Sequence, residues 1–266
     1  MILKAVILGI IEGITEFLPI SSTGHLILVG KYLNLGRIQN VFDVVIQAGA
    51  ILAVIIYFWN DIWPKFPFEK GYNRRHAKNV YRLWGKVIIA FFPAAIIGVL
   101  TNDYIDKYLF NSKSVAMALI VGAFLLLYAE KRLKRVRVDS TDDMTYSDAL
   151  MVGIFQCLSL WPGMSRSAST IIGGLFMGLS RAASAEFSFY LAIPTIIGAS
   201  VFKLFKAGLA FTSAEWLLIF IGSAVSFVVA LIVVSLFMNY IKTKKLAPFA
   251  YYRIALGIVV LLSIAL

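Results

Sequence analysis

The chain has 266 residues, of which 60% are apolar and 15% charged, with a mean hydropathy of +0.85 and a formal charge of +11. Such values exclude a soluble globular domain, and continuous helix-length apolar runs in place of short alternating ones exclude an even-stranded membrane barrel. The basic residues sit in short loops between apolar runs, so the charge reads as membrane topology and no nucleic-acid partner is expected.

The expected fold class is an all-α polytopic membrane protein, a single integral membrane domain over 1–266, with room for roughly six to eight spans. The single cysteine, Cys157, permits no internal disulfide. The start, Met1 to Lys4, lacks the charged region and small-residue cleavage site of a removed signal peptide, so it is expected to stay on the mature protein.

In chain order, the first element is a polar stretch inside an oily run, Glu12 to His25. Glu12 and Glu16 are four apart, on one face of a helix that Pro19 cannot continue, and Ser21, Ser22, Thr23 and Gly24 read as loop. Leu26 to Leu35 is too short to span, whereas Val41 to Trp59 is long enough. A basic loop with Lys65, Lys70, Arg74, Arg75, Lys78 and Arg82 follows. Trp84 to Leu100 spans, Thr101 to Lys113 reads as a mixed-charge loop, and Ser114 to Ala129 spans back to a second basic loop, Lys131 to Arg137.

From Tyr146 the chain repeats its opening: a moderately apolar segment to Leu160, a polar loop Trp161 to Thr170, and a small-residue run to Leu179. Glu186 to Lys206 and Glu215 to Met238 span, a third basic loop holds Lys242, Lys244 and Lys245, and Pro248 to Leu266 closes the chain. If the three basic loops share the cytoplasmic side, the Tyr146 to Leu179 segment makes no net crossing and reads as a re-entrant hairpin. Met1 to Asn40 reads likewise, which gives an inverted-topology repeat, each half one re-entrant hairpin plus three transmembrane helices, over about 1–130 and 145–266. Gly9, Glu12, Thr15, Phe17, Pro19 and Ser22 align with Gly153, Gln156, Ser159, Trp161, Pro162 and Ser165 when one gap is allowed. On this topology Lys31, Arg37, Lys203 and Lys206 fall on the outer side, against the trend.

Hairpins of an inverted repeat meet near the midplane, and irregular backbone there must line a cavity or be buried in protein. Glu12, Glu16, Ser21, Ser22, Thr23 and His25 are therefore expected to face Ser165, Arg166, Ser167, Ser169 and Thr170. A carboxylate pair in low dielectric calls for protonation, an arginine or a hard divalent cation. The planar fork of Arg166 and the hydroxyls around it match phosphate oxygens. His25 reads as a general acid or base or as a capping residue, and Ser22 as a nucleophile activated by His25 or as a backbone-bonding hydroxyl. Gly9, Gly13, Gly173, Gly174 and Gly178 read as close helix approaches, and Gln47 as a group touching the site or a neighbouring helix.

With Glu12-Gly-Ile-Thr-Glu-Phe-Leu-Pro-Ile-Ser-Ser-Thr-Gly-His25 and Pro162-Gly-Met-Ser-Arg-Ser-Ala-Ser-Thr170, the chain resembles the undecaprenyl-diphosphate phosphatase (bacitracin-resistance) family of bacterial inner membranes. The resemblance extends to Phe42-Asp-Val-Val-Ile-Gln47, Asp142-Asp-Met-Thr-Tyr146 and Glu186-Phe-Ser-Phe189. It implies removal of the terminal phosphate from undecaprenyl diphosphate with a divalent cation, Mg²⁺ or Ca²⁺, at a site facing the outer side. The product is the monophosphate carrier used in peptidoglycan synthesis. Carried over by motif, Glu12 and Glu16 match the acidic pair, Ser22 and His25 the following hydroxyl and imidazole, and Ser165, Arg166 and Thr170 the phosphate-binding loop. The two carboxylates are expected to hold the cation and Arg166 to clamp the departing phosphoryl group, with Ser22, His25 or a metal-activated water as the attacking group. Ala168 stands where the family usually has glycine, which matters only if that residue needs a positive φ. Phosphatases of the phosphatidic-acid type use two histidines in separate motifs, and this chain has only His25 and His76. The competing readings are a lipid-phosphate transporter or flippase using the same inverted-repeat site, and a non-catalytic lipid-binding scaffold. The oligomeric state is open, a homodimer included.

Overall fold

The structure, a computed structural model, describes every residue except Lys31, 66–70, Tyr72, 209–210 and Leu266. Lys31 and Lys70 thus lie outside the described residues. Eleven α-helices follow one another among those described: α1 (Ile2–Thr15), α2 (Ser22–Gly30), α3 (Gln39–Tyr57), α4 (Trp59–Ile62), α5 (Arg74–Tyr104), α6 (Ser112–Arg132), α7 (Tyr146–Gln156), α8 (Arg166–Phe176), α9 (Arg181–Ala207), α10 (Ser213–Ile241) and α11 (Ala247–Ala265). Six helical stretches, those of α3, α5, α6, α9, α10 and α11, are long and apolar enough to cross a bilayer. This is a multi-pass membrane protein.

Several boundaries differ from the sequence reading. Arg74, Arg75, Lys78 and Arg82 lie on the first turns of α5, which Asn73 caps by accepting from the amides of Arg75 and His76. The predicted loop from Thr101 is mostly helix too: α5 runs to Tyr104 and continues as a π-helical turn, Ile105–Leu109. Asp103 and Asp106 suggest a loop only if the helix must stop at the membrane surface, and this one, about 36 residues at ~1.5 Å each, overshoots a ~30 Å core.

The ends of the helices sort into two faces. Asn79 Nδ2 donates to Asp142 at 2.8 Å, and Glu130 accepts from Arg181 Nε at 2.7 Å and from the Leu246 amide at 2.9 Å, so the three basic segments gather at one end. At the other end Arg37 is bidentate on Glu215 at 2.6 Å and Lys206 Nζ lies 2.8 Å from Asp103. Two of the four cations that ran against the topology are therefore neutralised by local carboxylates.

Packing pairs the two halves crosswise: α1 lies along α10, α7 along α5, α3 along α9 and α6 along α11. The small residues of the short helices make this possible. A Cβ on Gly9 would sit 2.6 Å from the Gly222 carbonyl oxygen, and one on Gly153, 144 residues later, would strike the Ala90 backbone. Gly178, read as a packing glycine, instead ends α8 with φ +78, and its carbonyl accepts from the amides of Arg137 and Val138.

Candidate functional site

The polar tips lie between α1 and α2 and between α7 and α8. Helix α1 ends at Thr15, ahead of Pro19, and turns occupy 16–20. The serine-rich tracts predicted as loop are instead the opening turns of α2 and α8, which places Ser22, Thr23 and His25, and Arg166, Ser167 and Thr170, on helices. The cause is capping: Ser21 Oγ accepts from the Gly24 amide at 3.3 Å and Ser165 Oγ from the Ala168 amide at 3.2 Å. Ser21 and Ser165 share a φ of 71°, and no other non-glycine residue among those described has a positive φ. Ala168 is helical, so its methyl group is accommodated. The caps pair Ser21 with Ser165, so the 144-residue spacing of Gly9 and Gly153 runs through the tips without the gap assumed from sequence.

The two tips touch. Arg166 Nη2 donates to Glu16 Oε1 at 3.0 Å and its Nη1 to the Ser188 carbonyl at 3.2 Å, with the guanidinium 5.6 Å from the Phe17 ring centroid. Ser167 Oγ donates to the Leu18 carbonyl at 2.9 Å, and so the Ser165 hydroxyl, 3.0 Å from Ser167 Oγ, donates to it. Thr170 Oγ1 lies 2.6 Å from Ser188 Oγ, a residue that the sequence reading did not single out. Thr23 makes no side-chain hydrogen bond with a described residue.

Ser22 Oγ donates to Glu16 Oε2 at 2.8 Å within buried surroundings. Its partner is thus Glu16 and not His25, contrary to the activation by His25 considered from sequence. His25 has both ring nitrogens engaged: Nδ1 lies 2.8 Å from the Ser21 carbonyl and Nε2 lies 2.7 Å from the Tyr252 hydroxyl. A carbonyl only accepts, so Nδ1 carries the proton and Nε2 of the neutral ring accepts from Tyr252.

Glu12 is fully buried, and neither carboxylate oxygen accepts from a donor among the described residues, the Glu16 carboxyl being its hydrogen-bonding neighbour. The charged side chains acting on it are Glu16, Asp43 and Arg166. Nε of Arg166 is likewise buried and has no partner among the described residues. Two orphaned carboxylate oxygens next to a second carboxylate suit a hard divalent cation, and an unused guanidinium donor suits an anion. Among the described residues no three His, Cys, Asp or Glu side chains form a metal-binding group, so any cation here relies on two carboxylates and on oxygens from elsewhere. Asp43, held by Gln39 Nε2 at 2.7 Å, also lines a cleft of about 420 Å³ with Asn40, Asn102, Asp106 and Lys203. Gln47 makes no side-chain hydrogen bond with a described residue.

The family model described as Bacitracin resistance protein BacA matches residues 5–259. The chain is 52% identical over 263 residues to Undecaprenyl-diphosphatase 1 of Clostridioides difficile (strain 630), covering 98% of this chain and 95% of that protein. It is 49% identical over 270 residues to Undecaprenyl-diphosphatase of Enterococcus faecalis, covering 100% and 98%. A third relative, Undecaprenyl-diphosphatase of Caldanaerobacter subterraneus subsp. tengcongensis, is 48% identical over 271 residues, covering 100% and 97%. With that family model matched over nearly its whole length, the chain belongs to the bacitracin resistance protein BacA family.

Proposed function

We propose that the chain is an integral membrane phosphatase that hydrolyses undecaprenyl diphosphate to undecaprenyl phosphate and inorganic phosphate, returning the lipid carrier to cell-wall synthesis. The relatives carry the name of that activity at 45–52% identity. The observation that carries the site assignment is the trio of buried, unpartnered polar atoms, the two oxygens of Glu12 and Nε of Arg166. Buried polar groups are almost always satisfied, and a diphosphate with a divalent cation supplies what these lack.

The halves are read as an inverted-topology repeat with re-entrant hairpins. Support comes from the crosswise packing and from the hairpin ends. Lys4 Nζ donates to the Asn34 carbonyl at 3.1 Å, which brings the two ends of the first hairpin together. Arg137 bonds both Asp148, near the start of α7, and the Met177 carbonyl just past α8. In this reading the amino ends of α2 and α8, with their free amides and positive dipole ends, converge on the phosphates. The gathering of basic segments at one end supports a bacterial inner-membrane orientation with the hairpin of α1 and α2 opening outward.

Arg166 binds the terminal phosphoryl oxygens and balances the charge that grows on them as the anhydride bond breaks. Phosphate at Arg166 replaces Glu16 Oε1 as the guanidinium partner, which leaves the Glu16 carboxylate free to take the Ser22 proton at Oε2. Ser22 Oγ then attacks phosphorus as the anhydride bond breaks and the lipid monophosphate departs. A water next attacks the phosphoserine, the Ser22 Oγ–P bond breaks, and one of the water's protons passes to Oγ as inorganic phosphate leaves. Glu12 and Glu16 would hold Mg²⁺ or Ca²⁺, which supplies further charge neutralisation for the diphosphate. Phosphate release from undecaprenyl diphosphate by the purified protein tests the reading, with Ser22→Ala expected to lower the rate at least about 100-fold. Wild-type release by that variant removes Ser22 from the role.

A further inference from the structure

Arg253 is fully buried on α11, inside the stretch read from sequence as the plain closing span, and has no carboxylate partner among the described residues. A lone cation inside a membrane domain is costly unless its surroundings satisfy it. Four backbone carbonyls do so. Nε donates to Leu119 at 3.2 Å, Nη1 to Pro19 at 3.3 Å, and Nη2 to Ala118 and Gly163, each at 3.3 Å.

These partners are not equivalent. Ala118 and Leu119 lie inside α6, whose own ladder already serves carbonyls in that region. Pro19 and Gly163 lie in the two tips, outside any helix, and Arg253 is the one donor to their carbonyls among the described residues. Each stands two residues before its capping serine, Ser21 or Ser165, at the same 144-residue spacing. One guanidinium therefore grips the same carbonyl of both tips and ties them to α6. The space it occupies exists because residue 122 of α6 is glycine: a Cβ there would collide with Nη2 of Arg253 and with Met164 Sδ.

We propose that Arg253 is a positioning residue for the phosphatase site, acting through the backbone of both tips to set Glu16 and Ser22 against Arg166. It hydrogen-bonds none of Glu12, Glu16, Ser22 or Arg166. Its planar fork, with donors aimed in several directions, is what this task requires and what a lysine ammonium cannot reproduce. The proposal rests on the reading that the tips form the active site.

The test uses the purified full chain carrying Arg253→Lys, Arg253→Met or Gly122→Ala. The last keeps the charge but displaces the guanidinium. All three are expected to lower kcat for phosphate release at least about tenfold while KM changes less than about threefold, because misplacement of reacting groups acts on the chemical step. Wild-type kcat in Arg253→Lys and Gly122→Ala would show that only charge or bulk matters and would overturn the proposal, as would a rise in KM with kcat unchanged. A second readout is independent of activity: the distance distribution between spin labels at Val29 and Met177 in a Cys157→Ala background. Broadening in Gly122→Ala supports the tether even if the wild-type chain releases no phosphate, a result that would sink the phosphatase reading alone. An unchanged distribution overturns the tether, and Gly122→Ala keeps the test decisive if Arg253→Met fails to fold.

Discussion

Ser21 and Ser165 occupy the same position in two copies of one device: each has φ 71°, each caps the helix that follows through an i+3 amide, and each is followed by a residue of the candidate site. Ser22 follows one and Arg166 the other. The backbone at these two serines thus sets the direction from which the hydroxyl and the guanidinium enter the shared space.

The caps give the first expectation. Alanine at 165 removes the accepting oxygen and keeps a Cβ in the left-handed region, whereas glycine removes the oxygen but relieves the backbone strain. Ser165→Ala should cost about 1–2 kcal/mol of stability and Ser165→Gly a few tenths, about 0.5 kcal/mol or less. Thermal unfolding of both variants in detergent gives the order, and a more stable alanine variant would contradict the strain.

The Glu16 and Arg166 pair separates stability from activity. Both side chains are at most 10% exposed, so Arg166→Met leaves a buried carboxylate unpaired, at about 3–5 kcal/mol. Adding Glu16→Gln removes that charge and keeps an acceptor for Ser22. The double variant should recover about 2 kcal/mol or more over Arg166→Met while phosphate release stays at background. Recovery of activity together with stability would mean that neither charge takes part in the chemistry.

Glu12 offers a readout of the cation that does not depend on turnover. Without a cation the buried Glu12 carboxyl is crowded against Glu16 with no donor for its oxygens, so Glu12→Gln, whose amide can donate to Glu16, should raise the unfolding temperature of the chelated protein. The same change should abolish the stabilisation that Ca²⁺ or Mg²⁺ gives the wild type, because binding to the folded state alone shifts its stability by mass action. Equal cation-induced shifts in variant and wild type would remove Glu12 from the ligand set.

His25 and Ser22 are separated by their partners. With Nδ1 on the Ser21 carbonyl and Nε2 on Tyr252, the imidazole is committed, whereas the Ser22 proton already points at Glu16. Glu16→Gln should therefore reduce kcat more than His25→Gln, by at least about tenfold. The reverse order would return the role of base to His25.

Much of this was legible in the sequence because charge and helix breaks in an apolar background stand out. The six membrane-length helices, the two polar interruptions and the approach of the Glu16 tip to the Arg166 tip follow from residues that are costly at membrane depth, whereas the sequence left open whether Glu16 meets an arginine, a proton or a cation. The helical state of Ser22 and Arg166 was hidden because Ser, Thr and Gly favour loops and caps alike, and only the capping geometry decides between them. The sequence left the role of Ser22 open between His25 and the backbone, and its bond to Glu16 was hidden because only the turn at 16–20 brings that carboxylate back to the hydroxyl. Arg253 escaped notice because its partners are carbonyls, which have no signature in residue identity. A basic residue one or two turns into a span reads as one that snorkels to the surface.

In the proposed reaction Arg166 and Glu16, one from each tip, act together on a lipid diphosphate. The most direct measurement of this is inorganic phosphate release from undecaprenyl diphosphate by the purified chain in proteoliposomes, set beside Arg166→Ala and Glu16→Ala proteins that remain folded. Release by the wild type that stops on chelation, with no release above background by either variant, is the expected result. Wild-type release by either folded variant would contradict the account.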